Sequence, residues 1–131
     1  MLIRLLLVLI LLSSALSCRS GGPQQKVTRL PSGKEIKITS VVKMNFPNGG
    51  PALVMNYITD ISMDDMPALL KEVEEVWSVF QADVENAHVE AAVIRATHME
   101  GSFIKSGKGY GFVFVKREDG QWHRLEEGNK R

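Results

Sequence analysis

The chain has one cysteine in 131 residues, Cys18, so no disulfide can form within it. Its folded part is therefore held by packing alone, although exported compartments would permit disulfides. An excess of one charge is also missing: sixteen Lys and Arg stand against fifteen Asp and Glu, a formal net charge of +1. That balance lacks the basic footprint of general nucleic-acid binding, so no nucleic-acid partner is expected. Long apolar runs are absent as well. Apart from Arg4, residues Met1 to Leu12 are apolar, but the unbroken run Leu5 to Leu12 is eight residues, where a bilayer helix needs about 20. No internal repeat or low-complexity tract is visible.

What is present at the start is a short positive end, a compact apolar core and then small residues, Ser13-Ser14-Ala15, the layout of a secretory signal peptide over 1–17. The string Ala15-Leu16-Ser17-Cys18 that follows resembles the lipobox of bacterial lipoproteins. Ser17 fits the small residue before the cut and Cys18 the residue that becomes the acylated amino terminus, while Ala15 and Leu16 depart from the usual pattern. The resemblance implies cleavage before Cys18, palmitate-type acyl chains on it, and a membrane as partner through those chains. Two or more chains anchor stably where one does not. It also implies a place in the cell envelope, at the outer membrane if the host has two membranes, because Arg19 and not Asp follows the cysteine. Residues 18–25 then read as the lipidated Cys and a flexible tether, Arg19-Ser-Gly-Gly-Pro-Gln-Gln25.

Residues 26–131 suit one domain with a modest core. Charge is unevenly spread along them. Residues 19–59 carry six basic and one acidic, 60–100 two basic and ten acidic, and 101–131 seven basic and four acidic, so a dipolar domain is expected. Lys26–Leu30 and Glu35–Met44 read as a hairpin about Pro31-Ser32-Gly33, with Ile36, Ile38, Val42 and Met44 on one dry face. Leu53–Ile61 reads as a central strand after the breaking loop 45–51. Met66, Leu69, Leu70, Val73, Val76, Trp77 and Phe80 recur at helical spacing, and Pro67 fits the first turn only if the helix starts at Asp64 or Asp65. Strands His88–Thr97, Tyr110–Arg117 and Trp122–Glu126 follow, with Gly-rich 101–109 as a loop and Asp119-Gly120 as a hairpin turn. The order β-β-β-α-β-β-β implies an α+β fold, a curled antiparallel sheet on one long helix.

Lys108-Gly-Tyr-Gly-Phe-Val-Phe-Val115 resembles the octapeptide of RNA-recognition domains, and Tyr57-Ile-Thr-Asp-Ile61 resembles their shorter motif. The resemblance would make Tyr57, Tyr110 and Phe112 base-stacking aromatics on one sheet face. However, two strands precede the first motif, only sixteen residues follow the octapeptide, and the export signal separates the chain from RNA. The stretch is therefore read as shared β-α-β-β patterning, with its aromatics serving packing or protein contact. Ser102-Phe-Ile-Lys105 and Lys105-Ser-Gly107 match two motifs of penicillin-binding proteins, but one lysine cannot serve both.

His88 and His98, at opposite ends of one strand about 33 Å long, cannot share an ion. Asp60, Asp64 and Asp65 lack calcium-loop spacing, and helix capping accounts for Asp64 and Asp65; no metal or other cofactor is expected. The acidic helix face, with Glu72 and Glu75 at its centre, is a candidate docking surface for an envelope protein, together with the sheet aromatics Tyr57, Tyr110 and Phe112. The function expected is a small lipid-anchored envelope protein with a non-enzymatic binding or structural role. The alternative is a small hydrolase or ligand-binding protein with an apolar cavity near Tyr57, Trp77 and Phe112.

Overall fold

The computed structural model describes residues 25–100 and 106–126. Their elements are β1 (Lys26–Arg29), β2 (Glu35–Phe46), β3 (Gly50–Thr59), α1 (Met66–Asn86), β4 (Ala91–Glu100), β5 (Ser106–Lys116) and β6 (Trp122–Arg124). The strands form one six-stranded sheet in chain order, and α1 packs on one of its faces, so the fold is α+β. Cys18 and its signal segment, the Ser102–Lys105 motif and the last five residues of the chain lie outside the described residues.

The helix begins where its proline demands. Asp65 is the cap, its carboxylate accepting from Ala68 N at 3.3 Å, and Pro67 lies in the first turn, where the missing N–H costs nothing. Leu69, Val73, Val76, Trp77, Phe80 and Val84 form its buried stripe. Trp77 stacks on Phe114 of β5 with ring centroids 4.2 Å apart and planes within 5°, and Trp122 of β6 tilts against it at 5.2 Å. Tyr57, Trp77 and Phe112, near which an apolar cavity is the alternative expectation, are buried in this core, and an open pocket of about 240 Å³ lined by Met66, Leu70, Tyr110, Phe112 and Leu125 lies beside Phe112.

Three details of the sheet differ from the sequence reading, each for a physical reason. The sheet is mixed: β3 and β4 run parallel because α1 crosses over between them, which no hairpin does. In β2 a bulge separates Ile38, opposite Tyr57, from Ser40, opposite Asn56. One extra residue reverses the side that every later side chain faces, so Ile36 and Ile38 point to the helix while Val42 and Met44 point away. Finally, β5 starts at Ser106, so Gly107 and Gly109 belong to a strand and not to a loop. A Cβ at Gly107 would come within 2.9 Å of Thr97 Cγ2 and 3.2 Å of Met99 Sδ; glycine there lets the side chains of β4 lean across.

Candidate functional site

The chemistry-bearing side chains gather where β3 ends and α1 begins. Glu72 holds a place on the buried stripe of the helix, one turn after Leu69 and one before Val76, and is 4% exposed. A carboxylate so placed needs donors for its lone pairs. Oε1 accepts from Thr59 Oγ1 at 2.6 Å and from Tyr57 Oη at 3.0 Å, and Oε2 accepts from Lys34 Nζ. Lys34 sits on the β1–β2 turn, which Gly33, at φ +91°, brings back toward the helix. The same ammonium donates to Asp60 at 2.5 Å. His98 of β4 completes the cluster, its Nδ1 3.1 Å from the Thr59 carbonyl oxygen.

The electrostatics make this a fastening. Burial, reinforced by the Glu72 charge and hydrogen bond, pushes the Tyr57 phenol far above its ordinary value, so it remains a donor. The hydrogen bond from Lys34 holds the Asp60 carboxyl below its usual 3.8. Partial burial pulls Lys34 down, but hydrogen bonds and attraction from Asp60 and Glu72 outweigh it, and the net shift is upward. Lys34, Tyr57 and Asp60 are thus each held in their ordinary charge state, the reverse of what a general base or an amine nucleophile requires. Among the described residues, no three His, Cys, Asp or Glu gather closely enough to hold a metal ion. Asp65 is occupied as the helix cap and Asp60 by Lys34.

Three further helix carboxylates are answered from within the molecule as well. Glu75 accepts from Ser32 Oγ at 2.8 Å, Glu74 from Arg124 Nε at 3.1 Å, and Glu85 from Trp122 Nε1 at 2.9 Å. Trp122 and the nearby Lys116 hold Glu85 below the usual carboxylate range. The acidic face read as a docking surface is therefore largely a set of clasps tying α1 to the β1–β2 turn and to β6.

Of the residues expected to meet a partner, Glu72, Tyr57 (1% exposed) and Phe112 (5% exposed) are inside, which corrects that expectation for all three. The register explains the aromatics. Tyr57 and Phe112 share the helix-facing side of their strands with Met55 and Phe114, so they pack beneath α1 and cannot stack on bases without unfolding the domain. Tyr110 is half-buried against Phe112, ring centroids 5.2 Å apart, and Glu75 is half-buried on the helix. His88 is not on a strand at all; it follows the helix with φ 53°.

The surface that sequence reasoning missed is the other face of the sheet. Alternate residues point oppositely along a strand, so with Leu53, Ala92 and Phe114 facing the helix, Ala52, Ala91, Val93, Val113 and Val115 face away. With Phe46 and Gly49 these line an open apolar groove of about 240 Å³, smaller than the pockets that enclose drug-sized ligands. Val42 (45% exposed) and Met44 (40%) extend it across β2. The signal was faint, since it depended on the bulge at Thr39 that sends these side chains outward.

Comparison with protein-family models, with curated proteins and with solved structures finds no match to this chain. Among the described residues no helix is long and apolar enough to cross a membrane.

Proposed function

We propose that this chain is a small lipid-anchored protein of the bacterial cell envelope, held at a membrane by acyl chains on Cys18, with a non-enzymatic binding role. Its working surface is the sheet face that turns away from α1, and its partner is another envelope protein. The observation that carries this reading is the contrast between the two sides. The helix carboxylates are engaged by Lys34, Ser32, Arg124 and Trp122, whereas the apolar side chains around Val93 and Val113 have no covering element among the described residues. An uncovered apolar patch rimmed by polar groups is the usual signature of a contact surface. Ser40, Asn56, Arg95 and Thr97 supply that rim along the same face.

The address is tested by the intact mass of the protein extracted from membranes. A mature chain starting at an acylated Cys18 is expected. A mature chain starting at Leu16 without modification, or an uncut chain from Met1, contradicts the anchor.

A further inference from the structure

β2 runs from Glu35 to Phe46, but β1 covers only its first four residues, from Arg29 opposite Glu35 to Lys26 opposite Ile38. From Ser40 onward β2 is paired with β3 on one side, and among the described residues no strand lies along its other side. Such an edge is a row of unpaired N–H and C=O groups, a template for a further strand, and proteins that keep an edge vacant commonly set charges or proline along it. Between Ser40 and Phe46 there is one charge, Lys43, and no proline, while Val41, Val42 and Met44 are exposed.

We infer that this edge pairs with the same edge of a second copy, antiparallel, about a two-fold axis passing through Met44. The axis of such a pairing is normal to the sheet, so each residue meets one that faces the same side, and only a few registers remain. Centring on Lys43 would oppose two ammonium groups, which is unfavourable between directly paired residues. Centring on Val42 would bring Phe46 of the second copy to Ile38, whose outer side Lys26 already occupies. Centring on Met44 avoids both conflicts: Met44 meets Met44, Val42 meets Phe46 and Lys43 meets Asn45. The turn of the second copy's β2–β3 hairpin then reaches Ser40 and stops short of β1. The two helices lie on one side of the joined sheet, and the two apolar faces merge with Val42, Met44 and Phe46 at the centre. The short overlap from Val42 to Phe46 is weak by itself; here the inference rests on the proposed anchoring, which raises the effective concentration of one copy beside another.

The test uses full-length chains in the host membrane, oxidised and resolved without reductant. Directly paired Cα atoms in an antiparallel pair are about 4.5–5.5 Å apart, within disulfide reach. Met44→Cys is expected to yield several-fold more dimer than Val27→Cys, an exposed position on β1 away from the pairing. Mixed expression of Val42→Cys and Phe46→Cys chains should yield the mixed dimer. Dimer from Met44→Cys no greater than from Val27→Cys, with circular dichroism showing both folded, overturns the pairing. A higher yield from Lys43→Cys than from Met44→Cys overturns the register. A dimer from the parent chain would instead reveal a free Cys18 thiol and contradict the anchor. The comparison of positions 44 and 27 repeated with Cys18→Ser then still decides the pairing.

Discussion

The two faces of the sheet are built from similar strands but are finished differently. On the helix side Leu53, Met55, Tyr57, Phe112 and Phe114 of β3 and β5 belong to one buried core with α1, and the charged residues nearby are satisfied by one another: Lys34 by Asp60 and Glu72, Arg124 by Glu74. On the outer side the valines of β4 and β5 line an open groove. The difference teaches that acidity in the sequence is a poor guide to how much charge a surface leaves unengaged. A carboxylate within reach of the molecule's own donors is spent on the fold, while an apolar side chain without a cover retains its drive to be buried.

The comparison predicts that substitutions on the helix side damage stability and those on the outer side damage contact. Trp77→Ala removes the ring that stacks on Phe114 and meets the tilted Trp122, and should cost about 3–5 kcal/mol, enough to unfold most of a small domain, as followed by thermal melting. A midpoint unchanged from the parent would show that the helix face is wrongly assigned. Next in size is Glu72→Ala, which strips the acceptor from Tyr57, Thr59 and Lys34 together. A loss of about 3 kcal/mol in denaturant unfolding is expected, at the low end for a broken buried pair because Lys34 keeps some contact with water. Tyr57→Phe leaves the carboxylate two of its donors and should cost about 1 kcal/mol.

How much of this was legible in the sequence follows from how local each cause is. The helix stripe, the Asp65 cap required by Pro67 and the Asp119-Gly120 turn are set by neighbours a few residues apart, and all three stand in the structure. Gly120 adopts φ +80° there, as the turn needs. The bulge after Ile38 could not be read from β2 itself, because the extra residue is defined only against β3. The glycines of β5 looked like a loop because their reason, the lean of Thr97 and Met99, lies on another strand. Glu72 could have been found: its place between Leu69 and Val76 on the apolar stripe marks it as buried, with Tyr57 on a central strand as a waiting donor. Reading by charge alone groups it with its exposed neighbours.

Smaller effects sharpen the same contrast. The Asp60 carboxyl is held below its ordinary value by Lys34, so it releases its proton more readily folded than unfolded. Its stabilising contribution is therefore complete above pH 3.8 and is lost as the pH falls through the lower folded value. In acid titrations followed by circular dichroism, Asp60→Asn should remove part of the parent's loss of stability below that point. An identical acid limb in both proteins would argue that the Lys34 contact is not maintained in solution. At the end of the helix, His88 holds φ 53°, a left-handed conformation that glycine adopts without strain. His88→Gly should raise stability by about 0.5–1 kcal/mol in the same unfolding assay.

The most direct test of the central claim, that contact is made by the outer sheet face and not by the helix, is site-specific photocrosslinking of the full-length chain in its host membrane. A photoreactive side chain is placed at Val113, in the apolar groove, or at Ala82, exposed on α1. The account predicts discrete protein adducts from position 113 and none above background from position 82. Adducts from position 82 with a blank at position 113 would contradict it.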